Sequence, residues 1–279
     1  MNRDTEAVRA RLKQLRHVAL DMDGTIYSGQ TLFPSTLSFL QVLRELGIGH
    51  TFLTNNSSKS ARDYLAHLAR FGIAASDSEL YTSTQDTIGF LRRSYPHVKR
   101  LFLLGTPSLG AELAEAGFEL TRDDARDEPQ AVVVGFDTSL VFSRLCRAAF
   151  WIKQGKPFLA THPDRVCPTD EPIVLVDCGS ICAALERATG RGPDVVLGKP
   201  GPSMLTGILD RHHLGAEQLA MAGDRLYTDM AMARRTGALG VLVLTGETTA
   251  VEAARADPPV DLMVQDLGVF GEMLRRSKA

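Results

Sequence analysis

The chain has few of the features that mark exported, membrane-bound or nucleic-acid-binding proteins. Its 279 residues include only four cysteines. Cys146, Cys167, Cys178 and Cys182 form no Cys-x-x-Cys pair and have no histidine partner at zinc-finger spacing. They read as reduced structural thiols, not as a disulfide framework or a zinc site. No stretch approaches the roughly 18 consecutive apolar residues of a membrane span. Met1 to Arg16 carries Arg3, Asp4, Glu6, Arg9, Arg11 and Lys13 among few apolar residues, which does not make the core of a signal peptide. The formal net charge of -2 and the pI near 6.4 provide no basic face for a polynucleotide or an anionic membrane. There is no fixed-period repeat and no low-complexity linker. A cytoplasmic globular protein is expected, with neither nucleic acid nor membrane as a partner.

What is present is an ordinary globular composition, 44% hydrophobic and 23% charged, and one unusual strand end. The apolar run Val18 to Leu20 reads as a buried strand and stops at Asp21-Met22-Asp23-Gly24-Thr25. Carboxylates are seldom buried unless paired or metal-bound, and open α/β sheets bind ligands at the carboxyl ends of their strands. An EF-hand loop counted from Asp21 would need glycine and glutamate where Ile26 and Leu32 stand. Asp21 and Asp23 are therefore candidate site residues.

The same pattern recurs along the chain. A helix opened by Pro34-Ser35 carries Leu37, Leu40, Leu43 and Leu46 on one face and stops at Gly47. Ile48 to Leu53 returns as a strand, ends in Thr54-Asn55-Asn56-Ser57-Ser58 and leads into a helix from about Ser60 to Arg70. That polar cluster is either a helix N-cap or part of the site beside Asp21. A second α/β pattern follows, with strands at Leu101 to Leu104, Ala131 to Val134 and Phe158 to Thr161 and helices at Ser108 to Ala116 and Leu140 to Lys153. After a helix from Ser180 to Thr189, the strand Val195 to Leu197 meets Gly198-Lys199-Pro200. This is no P-loop, because positions 193 and 200 are prolines. Leu219 to Ala222 then ends in Gly223-Asp224-Arg225-Leu226-Tyr227-Thr228-Asp229. Leu239 to Leu244, Val251 to Arg255, Leu262 to Val264 and Leu267 to Arg276 complete the alternation.

Strand ends thus supply Asp21, Asp23, Thr54, Lys199, Asp224 and Asp229. If those strands are parallel neighbours, all six lie along one sheet edge. Carboxylates converging there would repel one another without a divalent cation, and oxygen-only ligands point to Mg²⁺ rather than zinc. Lys199 and the Thr54 hydroxyl are suited to phosphate oxygens.

Asp21-x-Asp23-Gly24-Thr25, Thr54-Asn55-Asn56, Gly198-Lys199-Pro200 and Gly223-Asp224 through Asp229, in this order, resemble the four motifs of the haloacid dehalogenase superfamily. The likeness is greatest to its NagD-like and 4-nitrophenylphosphatase-like branch. It extends to Thr161 to Asp164, Gly179-Ser180 and Leu244-Thr245-Gly246-Glu247. The resemblance implies a Rossmann-like α/β core with a parallel sheet, and catalysis by Asp21 as nucleophile through an aspartyl-phosphate. It implies Asp23 as general acid and base, and Thr54 and Lys199 on the phosphoryl group. Asn55 and Asn56 would orient Asp21 or the phosphate. Mg²⁺ would be held by Asp21, the Asp23 backbone carbonyl and Asp224, with Asp229 behind them.

Spacing locates a second domain. Thr25 to Thr54 spans about 30 residues, one βαβ step, whereas about 140 separate Asn56 from Lys199, so about 100 are inserted. The expected division is core 1–80, cap 81–178 and core 179–279, and the cap resembles the α/β C2 type of this branch. A cap that closes over the site would exclude water and contact the leaving group. Asp137 and the loop Thr161 to Cys167, with His162, are candidate substrate contacts, and His162 reads equally as an ordinary loop histidine.

The expected function is Mg²⁺-dependent hydrolysis of small phosphorylated metabolites. A phosphotransferase using the same aspartyl-phosphate and a non-catalytic phosphometabolite-binding protein are the alternatives. The retained acid Asp23 argues against the last. Members of the family often dimerise through the cap.

Overall fold

The computed structural model describes residues 6–167 and 172–278. The remaining residues of the expected divisions, 1–5, 168–171 and 279, lie outside the described residues. Two compact units are present: Met1–Thr54, Leu68–Tyr81 and Lys199–Ala279 form unit 1, and Asn55–His67 and Thr82–Gly198 form unit 2.

Unit 1 is built on a six-stranded sheet in the order Leu262–Val264, Leu239–Val243, Leu219–Gly223, His17–Asp21, Gly49–Thr54, Leu80–Thr82. The central strand is buried at all five residues, as expected for a strand flanked by parallel neighbours and covered on both faces. It pairs in parallel with Leu219–Gly223, Leu20 opposite Ala222, and with Gly49–Thr54, Asp21 opposite Leu53. Gly223 in turn lies opposite Leu242 of the next parallel strand. These registers bring Asp21, Thr54 and Asp224 to one end of the sheet. Met204, Leu205 and Ile208 of the helix Ser203–His212 pack with Ala19, Leu53, Leu219 and Met221, so one helix covers three adjacent strands. Phe39 of the helix Thr36–Glu45 and Phe270 of Leu267–Lys278 stack at 5.4 Å, and a Cβ on Gly271 would meet the Phe39 ring at 3.2 Å.

Unit 2 has its own five-stranded parallel sheet, ordered Val195–Val196, Phe158–Ala160, Ala131–Val134, Arg100–Leu104, Glu119–Leu120. Alternate residues face opposite ways along a strand. Phe102, Leu104, Val132 and Val134 accordingly pack with Trp151 and Ile152 of Phe142–Lys153 and with Ile181 and Leu185 of Cys178–Thr189. Leu101, Leu103 and Val133 instead meet Ile88 and Leu91 of Ser83–Ser94 and Leu109 and Leu113 of Pro107–Glu115.

The expected α/β class, with a parallel sheet core and a second α/β domain, is what the chain adopts. The unit limits differ from the expected ones. Residues 179–198, expected in the core, lie in unit 2, because Cys178–Thr189 packs on its sheet and Val195 and Val196 pair with Leu159 and Ala160. Asn55–His67 also lies in unit 2. Three helices escaped the sequence reading: Glu6–Gln14, Ser83–Ser94 and Ser203–His212.

Candidate active site

Within unit 1, Asp21 ends the central strand and is buried. Beyond it the chain turns sharply. Gly24 takes a φ of 84°, in the region that favours glycine, and its N–H donates to the Tyr27 carbonyl at 2.8 Å. A Cβ there would stand 2.4 Å from Asp224 Oδ2, so the turn and the second acid require each other's shape. Asp23, half-buried, leads into this turn.

Asp224 follows the neighbouring strand, and a single π-helical turn, Leu226–Met230, carries Asp229 back toward it. Such turns are rare and concentrate at functional sites. Gly223 makes room for the returning side chain, since a Cβ on it would lie 2.3 Å from Asp229 Cγ. Ligand oxygens of Asp21, Asp224 and Asp229 all lie within 4.8 Å of one another, and all three residues are buried.

Lys199 is the counterion. Its Nζ donates to Asp21 Oδ1 and ion-pairs with Asp229 Oδ1 at 2.8 Å. Burial works against its charge, but the two carboxylates overcome this and hold its pKa well above that of an ordinary lysine. Burial together with the charges of Asp21 and Asp229 pushes Asp224 up to about 7. Burial likewise raises Asp229 to about 6, although Lys199 opposes the shift. One ammonium cannot neutralise three carboxylates in this space.

Asp21, Lys199, Asp224 and Asp229 therefore stand together, with Thr54 buried at the end of the adjacent strand. The candidates that fall in unit 2, Asn55 and Asn56 as well as those expected in the cap, stand differently. Hydrogen bonds within unit 2 engage Asn55, whose amide donates to both Asp164 oxygens at 3.2 and 3.3 Å. The Asn56 side-chain oxygen Oδ1 accepts from Ser58 N and Oγ, a local turn of the kind that precedes a helix. Asp137 Oδ1 accepts from Ser139 N and Oγ, so its own loop holds it. His162, taken as a substrate contact, has no exposed side-chain surface. Its Nε2 meets Asp177 Oδ1 at 2.9 Å and its Nδ1 meets Thr161 Oγ1 at 2.8 Å. Burial opposes charge on this ring, but Cys178, Asp177 and Asp164 raise its pKa to about 9. A fully enclosed imidazole with both nitrogens engaged supports the reading of His162 as an ordinary loop histidine over that of a substrate contact. His162, Asp164 and Asp177 also form a second group of metal-capable side chains, in which the ion pair already satisfies the imidazole.

Residues 18–119 match the haloacid dehalogenase-like hydrolase family, and residues 196–269 match a second family of the same hydrolases. Ribonucleotide monophosphatase NagD of Escherichia coli K12 is 32% identical over 83% of this chain and 88% of its own. The chain belongs to the haloacid dehalogenase-like hydrolases. Within them it falls in the branch of NagD and 4-nitrophenylphosphatase. The crystal structure of 4-nitrophenylphosphatase from Thermotoga maritima superposes with a TM-score of 0.88 at 38% identity, covering 94% of this hydrolase and 98% of that chain. The D-glycerol 3-phosphate phosphatase of Mycobacterium tuberculosis is 34% identical over 86% of this chain, which spans 65% of that relative's length. A structure of glycerol phosphate phosphatase from the same organism, in complex with magnesium, has a TM-score of 0.85 at 31% identity, covering 95% of this chain and 77% of that one.

The residues of this hydrolase fit Mg²⁺. The cluster offers oxygen donors alone, carries excess negative charge, and leaves Asp224 Oδ1 buried without a hydrogen-bond partner among the described residues. A hard, oxygen-seeking cation satisfies all three conditions. The sequence reading gave no role to Arg225, or to Thr245, Gly246 and Glu247. Arg225 Nε pairs with Glu247 Oε2 at 2.9 Å. Their signal was present, because Thr245-Gly246-Glu247 lies just beyond a buried strand of the same sheet.

Proposed function

We propose that this hydrolase is a Mg²⁺-dependent phosphatase of small phosphorylated metabolites, acting through an aspartyl-phosphate on Asp21. The observation that carries this reading is the burial of Asp21 against Lys199 within a cluster of three carboxylates at a sheet edge. Its oxygen, oriented by the lysine, attacks phosphorus as the bond to the leaving oxygen breaks. Asp23 gives its proton to that oxygen, then removes one from the water that attacks the aspartyl-phosphate and releases phosphate. General acid-base help of this kind is worth roughly 10²- to 10⁴-fold. Lys199 and Thr54 hold the equatorial oxygens of the phosphoryl group as its charge redistributes. Asp21, the Asp23 carbonyl and Asp224 would hold Mg²⁺, with Asp229 fixing Lys199. Bound there, the cation supplies neutralisation of the phosphate oxygens.

Unit 2 selects the substrate. The relatives named for glycerol 3-phosphate and ribonucleotide monophosphates support small phosphate monoesters as the class. In this reading Asn55 and Asn56 fix the segment that follows Thr54, and Asp137 and His162 shape the cap from inside without touching substrate. A reducing cytoplasm suits the four free cysteines, one of them exposed. Exposed Phe142 and Phe150 on one helix of unit 2 support pairing of two copies through the cap.

The test is phosphate release from 4-nitrophenyl phosphate, with Mg²⁺ and with EDTA, beside Asp21→Asn. Turnover that needs both the metal and Asp21 supports the reading. Activity unaffected by the substitution contradicts it.

A further inference from the structure

The segment after the strand Leu239–Val243 reaches the carboxylate cluster without adding a ligand to it. Thr245 Oγ1 donates to the carbonyl of Gly24 at 2.6 Å, the residue after Asp23. The Glu247 N–H donates to Asp224 Oδ2 at 2.7 Å, and the Thr248 N–H to the Asp224 carbonyl at 3.2 Å. Between them Gly246 lies flat against the same carboxylate. A Cβ on it would stand 2.0 Å from Asp224 Oδ2 and 2.5 Å from Asp224 Cγ. Gly24 approaches the same oxygen, since an added Cβ there would meet Asp224 Oδ2 at 2.4 Å and the Gly246 Cα at 3.2 Å. Two glycine backbones thus crowd one carboxylate oxygen, and a third backbone group donates to it.

The consequence is an asymmetry in Asp224. Oδ2 is committed to the Glu247 N–H, while Oδ1 is buried without a hydrogen-bond partner among the described residues. Glu247 also ties the loop down through its side chain, which ion-pairs with Arg225 at 2.9 Å and accepts a hydrogen bond from the Tyr227 hydroxyl at 3.2 Å. The loop therefore grips both residues that flank the cation's place, Asp224 directly and the Asp23–Gly24 turn through Thr245.

We infer that Thr245, Gly246 and Glu247 form the positioning element of the cation site, holding Asp224 by one oxygen so that the other is presented to Mg²⁺ and fixing the Asp23–Gly24 turn beside it. The inference rests on the proposed reading of Asp21, Asp23 and Asp224 as the Mg²⁺ ligands. The three residues act through those ligands, and none is assigned to the reacting atoms. Groups that orient a ligand in this way typically change metal affinity about 10- to 100-fold when lost.

The experiment measures Mg²⁺ binding by titration calorimetry, without substrate, for the wild type, Gly246→Ala, Thr245→Val and Thr245→Ser, with thermal unfolding of each. Kinetics then give the Mg²⁺ concentration for half-maximal rate and the KM for 4-nitrophenyl phosphate at saturating Mg²⁺. Gly246→Ala should weaken Mg²⁺ binding at least about tenfold and raise the half-maximal Mg²⁺ concentration in parallel, with a much smaller change in KM. Thr245→Val should weaken binding several-fold, and Thr245→Ser, which keeps the hydroxyl, should restore it. If Gly246→Ala fails to fold, the Thr245 pair decides alone. Folded variants that bind Mg²⁺ as the wild type does overturn the inference and leave the phosphatase reading standing. A wild type that binds no Mg²⁺ overturns both.

Discussion

Lys199 Nζ stands 2.8 Å from Asp229 Oδ1 while the same nitrogen donates to Asp21, so one buried ammonium bridges the end of the central strand and a π-helical turn. The geometry gives the lysine two tasks, since it offsets like charges in the fold and orients an oxygen of Asp21. Removing it should expose both.

Lys199→Met should lower kcat for 4-nitrophenyl phosphate by roughly 10²- to 10³-fold, the loss typical when one electrostatic stabiliser is removed. It should also destabilise the metal-free protein by about 3–5 kcal/mol, since Asp21 and Asp229 remain buried without their counterion. Urea unfolding with and without Mg²⁺ separates the two effects. The stability loss should shrink with Mg²⁺, because the cation replaces part of the missing charge. An equal loss in both conditions would contradict the charge argument.

His162 offers a contrast between a structural and a substrate-binding histidine. His162→Ala leaves the Asp177 carboxylate, 3% exposed, without its imidazole. The expected result is a stability loss of about 3–5 kcal/mol, with the KM of the folded fraction changed only slightly. A raised KM with unchanged stability would restore the substrate contact expected from the sequence.

His17 makes stability depend on pH on the acid side. Its ring is buried, bonds Thr51 Oγ1 through Nε2 at 2.8 Å and lies 4.3 Å from the His212 ring. Burial first, then the charges of His212, His50 and Arg211, lowers its pKa from 6.5 to about 3. In the unfolded chain the imidazole takes up its proton near 6.5, and in the folded chain only near 3. Between these values the unfolded state holds more protons, so stability is full above about pH 6.5 and falls as the pH drops toward 3. The slope from this group approaches about 1.4 kcal/mol per pH unit. Urea unfolding at several pH values should show that slope reduced in His17→Gln, and an identical slope would contradict the assignment.

How much of an element is legible in the sequence depends on the range of the signal that forms it. Strands that end in carboxylates were legible because Val18 to Leu20 and Leu219 to Ala222 are short apolar runs that stop abruptly. Ser83–Ser94 was not, because its buried face includes Ser83, Thr84, Asp86 and Thr87, which give no apolar period. The helix Ser203–His212 had its signal, with Met204, Leu205 and Ile208 at helical spacing, and was passed over beside the Gly198-Lys199-Pro200 motif. Val195–Val196 read correctly as a strand, but its pairing with Phe158–Ala160 rather than with the core sheet is a non-local choice that no local period encodes. The same holds at the site. Asp21 and Asp224 announced themselves, whereas the enclosure of His162 by Asp177, fifteen residues later in the chain, could be seen only once the fold brought them together.

The central claim is a covalent phosphoryl group on Asp21, and the most direct measurement is to trap it. With 4-nitrophenyl phosphate the leaving group needs little protonation, so Asp23→Asn should slow hydrolysis of the aspartyl-phosphate more than its formation. Rapid acid quench of Asp23→Asn with Mg²⁺ and this substrate, followed by peptide mass mapping, should find one phosphoryl group on the peptide that contains Asp21 and none when Asp21 is also replaced by Asn. Steady turnover with no labelled peptide, or a label on another residue, would contradict the account.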